Sequence, residues 1–232
     1  MKTTLITGAN RGIGLELTRQ YAAEGWRVLA CSRHPEKSDA LKQLVSQYPG
    51  LVHVQALDVT DHVQINSLAQ KLSEDPIDLL INNAGIYPSS DAKGYGHTDD
   101  EEWVQAFRIN SMAPLWMAQA FIEHIARSQL KTIVTISSKM GSVGDNTSGG
   151  SYLYRSSKAA VNMVVKSLAL DLGPRGITAV VLNPGWVKTD MGGPNAMIPV
   201  EQSVSGMRRV IDKLTVADSG KFLDYDGREI PW

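Results

Sequence analysis

The chain has 232 residues, 43% hydrophobic and 20% charged, with a formal net charge of −1. That length can bury one sizeable core. The near-neutral charge excludes a global field that would draw the protein to nucleic acid or an anionic membrane. Its single cysteine, Cys31, excludes an intrachain disulfide and suits a reducing compartment. Cys31 closes the apolar run Val28-Leu29-Ala30-Cys31 and reads as a small core residue. The apolar stretch at the N-terminus is too short for a signal peptide, and no run approaches the ~18 apolar residues of a membrane span. A cytoplasmic location is therefore expected.

Short β-branched runs alternate with helix-length amphipathic segments. In chain order the pattern predicts a strand at 3–7 and a helix at 11–24 that stops at Gly25. A strand at 26–32, a helix at 36–47 and a strand at 52–59 follow. Asp61 can cap a helix running to about 73. Next come a buried strand at 77–81 and a long helical stretch at 99–127, bent near Pro114. A strand at 132–137, a helix at 151–172, a strand at 177–182, a helix at 200–214 and a short strand at 221–225 complete the chain. Seven strands interleaved with helices predict an α/β fold with a parallel sheet covered on both faces. No linker or low-complexity stretch marks a second domain, so 1–232 is expected to be one domain. Three long loops, 87–98, 140–150 and 183–199, all follow strands. In an open α/β sheet that is where ligands sit.

The first strand runs into Thr7-Gly8-Ala9-Asn10-Arg11-Gly12-Ile13-Gly14. Glycines allow a sharp turn and close approach to a phosphate. The helix that follows offers free N–H groups and a positive dipole end. Strand, glycine turn and helix together make a pyrophosphate site, although the spacing G-x-x-x-G-x-G is not the usual G-x-G-x-x-G. Taken alone, the turn also fits a tight strand–helix connection. Tyr154 and Lys158 lie four apart and share a helix face. Alone, such a pair is usually a packed tyrosine beside a snorkelling lysine.

In order along the chain stand Thr7-Gly8-x-x-x-Gly12-x-Gly14, Asn82-Asn83-Ala84-Gly85, Tyr154-x-x-x-Lys158 and Pro184-Gly185. In these four motifs the chain resembles the short-chain dehydrogenase/reductase family over essentially its whole length. The tail from Gly220 to Trp232 is similar to the branch holding the sniffer-type carbonyl reductases and the C-factor (C-signal) proteins. The resemblance implies a single Rossmann-type, doubly wound domain with seven parallel strands, and an NADP(H)-dependent enzyme that reduces a small carbonyl compound to an alcohol.

The resemblance also implies site residues. Tyr154 would be the general acid/base, and a nearby ammonium would lower its pKa from near 10. Lys158 would also hold the nicotinamide ribose. Ser138, second of the pair Ser137-Ser138, would help place the carbonyl oxygen, and Asn110 would hold a water that links Lys158 to solvent. The gap from Ser138 to Tyr154 is longer than is usual in the family, with 144–150 as extra loop. Gly8, Asn10, Arg11, Gly12, Ile13 and Gly14 would cradle the cofactor phosphates. Asp58 and Val59 would meet the adenine, and Asn83, Ala84 and Gly85 the ribose side. Pro184, Gly185, Val187 and Thr189 would wrap the nicotinamide. Members of the family are usually dimers or tetramers, and a homodimer is expected here, with a tetramer as the alternative.

NAD-specific sites carry an acid at the end of the second strand. Here that region reads Ala30-Cys31-Ser32-Arg33-His34. Arg33 is placed for a 2′-phosphate, and Arg11 could reach it from the glycine turn. NADP is therefore expected over NAD. Tyr87, Met140, Trp186, Met191 and Met197, from the three loops, should line an apolar pocket. Tyr152 reads as a packing or pocket residue.

Other classes fare worse. A serine hydrolase lacks its G-x-S-x-G elbow, and the five histidines lack metal-ligand spacing, so no metal is expected. The chain is too short for the substrate domain of a sugar-nucleotide epimerase. The alternative left open is an NADP-binding signalling or sensor protein of the C-factor type.

Overall fold

The computed structural model describes residues 1–232, apart from the side chains at 92 and 93. Its centre is a seven-stranded, all-parallel sheet in the order β3-β2-β1-β4-β5-β6-β7. The strands are β1 (Thr3–Thr7), β2 (Arg27–Ser32), β3 (Val52–Ala56), β4 (Leu79–Asn82), β5 (Thr132–Ile136), β6 (Thr178–Asn183) and β7 (Phe222–Asp224). The helices are α1 (Gly12–Ala23), α2 (Asp39–Gln47), α3 (His62–Lys71), α4 (Asp100–Phe107), α5 (Ala113–Ala126), α6 (Tyr152–Leu172) and α7 (Val200–Ile211). Strands β1, β4, β5 and β6 are buried on every residue, so they read as apolar runs without alternation.

Both sheet faces are covered, and alternate strand residues separate between them. Leu5, Leu80 and Ile133 pack with Met117 and Phe121 of α5 and Val161 and Val165 of α6. Ile6, Ile81 and Val134 pack with Leu17 and Tyr21 of α1 and Val204 and Met207 of α7. The strand order reverses at β1, whose neighbours are β2 and β4. Doubly wound sheets open their ligand crevice at this switch point.

The pattern holds for each element type, with boundaries that move for local reasons. Asp61 caps α3, accepting from the N–H groups of Val63 and Gln64 at 2.8 and 3.1 Å. The helix predicted at 36–47 is two pieces. Pro35–Lys37 forms a 3-10 turn, and α2 then restarts behind Ser38, whose hydroxyl accepts from Leu41 N–H at 3.3 Å. The long stretch at 99–127 is interrupted just before Pro114, which lies in the first turn of α5. The break is a π-helical turn over Arg108–Met112, the kind of bulge that often marks functional sites.

Gly14 shows how tightly the glycine turn closes. A Cβ built on it would lie 2.2 Å from the Gly8 carbonyl oxygen and 2.6 Å from Asn83 Nδ2. Gly14→Ala is expected to destabilise the fold by about 2 kcal/mol or more, the range for overpacking a closed contact. Urea unfolding checks this; a change below about 0.5 kcal/mol would show that the turn opens freely.

Candidate active site

The carboxyl ends of β1 and β4 are stitched together. Thr7 Oγ1 accepts from the N–H groups of Asn83 and Ala84, both at 3.0 Å. Asn83 Nδ2 donates to the carbonyls of Thr7 and Gly8 at 2.9 and 3.2 Å. Above this seam opens a cleft of about 800 Å³, near the upper end for small-molecule and cofactor sites. It runs from Arg33 and Lys37 beyond β2, past the glycine turn, to Tyr154 and Lys158 of α6.

Most of the residues expected at a cofactor meet in this cleft. Gly8, Asn10, Arg11, Gly12, Ile13, Gly14, Arg33, Asp58, Val59, Asn83, Ala84, Gly85, Pro184 and Thr189 all line it. Gly185 and Val187 do not. Val187 is buried, and Gly185 packs on Ile198 and Tyr225, where a Cβ would lie 2.4 Å from Ile198 Cδ1. Asp58 Oδ1 accepts from both the N–H and the hydroxyl of Thr60 at 2.8 Å. Arg11 departs from expectation, because its guanidinium pairs with Asp190 in the loop after β6. Both side chains are largely exposed, so the pair is weak and exchangeable. His34, Lys37 and Lys188 add cationic or basic side chains that the motifs did not flag.

At the other end lies the polar group on α6. Lys158 is 5% exposed, and its Nζ donates to the Ile136 carbonyl at 2.9 Å. Burial lowers its pKa to about 8. Nζ lies 5.8 Å from the Tyr154 ring centroid. An ammonium beside the phenol was expected to lower the tyrosine's pKa. Burial wins instead and pushes Tyr154 up to about 12, a hydrogen bond with Ser138 opposing the rise and neighbouring Tyr87 adding to it. Ser137 is turned away from Tyr154, its hydroxyl bonded to Asn162 Oδ1 at 2.7 Å. Ser138 Oγ also accepts from Met140 N–H at 3.1 Å.

The π turn has a visible purpose. It carries Asn110, 1% exposed, whose amide mimics a backbone partner for the loop after β4. Its Oδ1 accepts from Ile86 N–H at 2.9 Å, while Nδ2 donates to the Ile86 carbonyl and to Ser157 Oγ, both at 3.0 Å. The side chain thus ties the 83–86 loop to α6 one residue before Lys158.

The expected substrate wall is more dispersed. Met191 lines the cleft. Tyr87 packs against Tyr154 with ring centroids 4.8 Å apart and planes tilted by 43°. Trp186 is half exposed, and its indole N–H donates to the Gly192 carbonyl at 2.8 Å, folding its loop on itself. Met197 is exposed. Tyr152 faces out beside Tyr95, 6.4 Å between centroids. Met140 sits in the loop after β5, and Arg155 organises that loop. The guanidinium donates to the Met140 carbonyl at 3.3 Å and to Ser148 Oγ at 2.9 Å, with Nε to the Gly149 carbonyl at 3.2 Å.

A family model described as short chain dehydrogenase matches residues 2–197. The chain belongs to the short-chain dehydrogenase family. It is 44% identical over 168 residues to the Myxococcus xanthus protein named C-signal, covering 72% of this chain and all of that one. Among solved structures it resembles the carbonyl reductase Sniffer of D. melanogaster, with TM-score 0.91, 31% identity and full coverage of both chains. It also resembles an NADPH-bound carbonyl reductase from chicken fatty liver, with TM-score 0.91 and 34% identity over 100% of this chain and 99% of that one. The chain is thus an oxidoreductase of this family. Among the described residues no helix is long and apolar enough to cross a membrane, and no group of three His, Cys, Asp or Glu side chains gathers as a metal site. Cys31 is buried, and burial pushes its thiol up to about 12, which fits a core residue.

Arg155→Ala is expected to raise the rate of proteolytic cleavage within 142–150 several-fold while global stability changes by less than about 1 kcal/mol. Limited proteolysis with urea unfolding checks both. Unchanged cleavage would show that the loop holds itself.

Proposed function

We propose that this protein is an NADPH-dependent carbonyl reductase, converting an aldehyde, ketone or quinone to its alcohol. The observation that carries the reading is the pairing of a buried Tyr154 with a buried Lys158 at the end of a cleft that begins at a glycine turn. In this reading Tyr154 protonates the carbonyl oxygen and Ser138 helps hold it. Lys158 binds the nicotinamide ribose, and Asn110 keeps the loop over it in place. NADPH, when bound, supplies the hydride. Tyr87, Met140, Trp186 and Met191 form the substrate side. Cytoplasmic location and a homodimer go with the reading.

The cleft fits the cofactor on its own residues. Among the described residues, the buried Ser32 hydroxyl at the end of β2 has no hydrogen-bond partner, and it lies in the cleft beside Arg33. A phosphate there would satisfy Ser32 and pair with the guanidinium. Lys37 adds charge on the same side, and Arg11 can join by leaving the exposed Asp190. Gly8, Asn10, Gly12, Ile13 and Gly14 would face the pyrophosphate at the amino end of α1. Asp58 and Val59 would meet the adenine, and Asn83, Ala84 and Gly85 the ribose. Pro184 and Thr189 would sit at the nicotinamide.

The likeness to C-signal favours a second reading, a signalling protein on the same fold. The two part at Tyr154→Phe. For a reductase, this variant should lose at least about 10²-fold in kcat, the usual scale of general acid catalysis, with NADPH affinity within threefold of wild type. Spectrophotometric NADPH consumption over aldehydes, ketones and quinones is the assay. Equal rates for wild type and variant across that panel would sink the enzyme reading.

Wild type should bind NADPH at least about tenfold more tightly than NADH, the scale of one charge-assisted phosphate contact. Fluorescence titration of the Arg11→Ala, Arg33→Ala double variant should show that preference lost. A double variant that still prefers NADPH would overturn the assignment.

Lys158 makes binding pH-dependent in a defined sense. With its pKa lowered to about 8, it is charged at neutral pH and largely neutral at pH ~9.5. The anionic cofactor favours the charged form, so NADPH binding at that pH should take up a proton through Lys158. Calorimetry in buffers of differing ionisation enthalpy reads the uptake, which should vanish near pH 6.5 and in Lys158→Met. An uptake that persists in Lys158→Met would assign the proton elsewhere.

A further inference from the structure

The first turn of α6, which carries Tyr154, is held from outside its own sequence. Its N-cap residue, Ser151, sits in the left-handed region at φ 47° and ψ 47°, uncommon for a residue other than glycine. The Ser151 hydroxyl is bonded to the Tyr87 hydroxyl at 2.7 Å. A helix start presents N–H groups that need acceptors. Those of Leu153 and Tyr154 are taken by one carboxylate, Asp91, with Oδ1 at 3.0 Å and Oδ2 at 2.7 Å. Asp91 is 7% exposed and lies 62 residues before Leu153.

Asp91 is itself fixed. It sits in a 3-10 turn, Ser89–Lys93, anchored to α4 through Glu102. Ser90 N–H and hydroxyl donate to Glu102 Oε2 at 2.8 and 2.7 Å, and the Ser89 hydroxyl to the other carboxylate oxygen. Segment 87–91 therefore holds α6 at three points, through Ser151 Oγ and two main-chain amides. Lys158 lies one turn further in, with its own anchor on Ile136.

We infer that Asp91 is a positioning residue that sets the place of the Tyr154 hydroxyl by capping the first turn of α6 from a distant strap. Without the carboxylate, two N–H groups beside a buried leucine lose their acceptors, which favours fraying of that turn. Fraying moves Tyr154 and leaves Lys158 in place. A displacement of about 1 Å at a reacting group costs on the order of 10²-fold in rate. The effect should therefore fall on kcat and spare cofactor binding.

This inference rests on the reductase reading, and the two can fail separately. Full-length Asp91→Ala and Asp91→Asn are compared with wild type for carbonyl reduction, for NADPH affinity by fluorescence titration, and for amide hydrogen exchange. Asp91→Ala should lose at least about tenfold in kcat, with NADPH affinity within threefold of wild type. Asp91→Asn, which keeps one acceptor oxygen, should recover most of that loss. Exchange should quicken at Leu153 and Tyr154 and stay slow from Lys158 onward. A wild-type kcat in Asp91→Ala would overturn the inference, as would parallel losses of kcat and NADPH affinity. If wild type reduces no carbonyl, the reductase reading fails and exchange alone decides: unchanged exchange at Leu153 and Tyr154 in Asp91→Ala overturns the cap. If Asp91→Ala does not fold, Asp91→Asn carries the test, and exchange must quicken at one of the two amides.

Discussion

The cleft depends on one seam, the set of hydrogen bonds that joins the ends of β1 and β4 through Thr7 and Asn83. Neighbouring parallel strands normally diverge into their loops at this edge, leaving main-chain groups without partners. Here the Thr7 hydroxyl and the Asn83 amide satisfy those groups with one another, so the two strand ends stay together while the loops open above them. Gly14 then closes on the Gly8 carbonyl, which fixes where α1 begins. The amino end of that helix is aimed at the cleft because nothing larger than hydrogen fits at the contact.

A second constraint is the burial of Lys158. Lowering a lysine from its ordinary value of 10.5 to about 8 corresponds to roughly 3 kcal/mol against the charged form. A core lysine kept for stability would carry a carboxylate partner. Lys158 has a backbone carbonyl and the face of a tyrosine. Such an arrangement costs stability and leaves a cation ready for an incoming anion, which is the pattern of functional sites. Tyr154 shows the complementary behaviour, since burial holds its proton on.

The fold and the cleft-lining motifs were legible because each is local. A glycine turn, an i, i+4 pair and an apolar strand run announce themselves within eight residues. Asp61 was readable as a cap for the same reason. What escaped the sequence pattern is tertiary. Asp91 caps a helix far along the chain and looks like an ordinary loop acid. The π turn at 108–112 carries an asparagine whose partners, Ile86 and Ser157, are distant in the chain. The pairing of Arg11 with Asp190 was not legible either, because nothing in the glycine turn signals a partner so far along the chain. The expected acidifying effect of Lys158 on Tyr154 failed because spacing reports proximity and says nothing of burial.

Residues 154 and 155 show how one turn of helix serves both the chemistry and the pocket. The main chain of Tyr154 is tied to the 87–91 strap by Asp91. The next side chain, Arg155, ties the 140–149 loop. Both segments are therefore anchored on the same helical turn. Loops vary most readily in length and composition, so these segments can change while their anchor stays. That division explains why the end of the cleft built on strand ends and glycines could be read from motifs, whereas the loop-built end could not. The 87–91 strap and the 140–149 loop are both held by the first turn of α6.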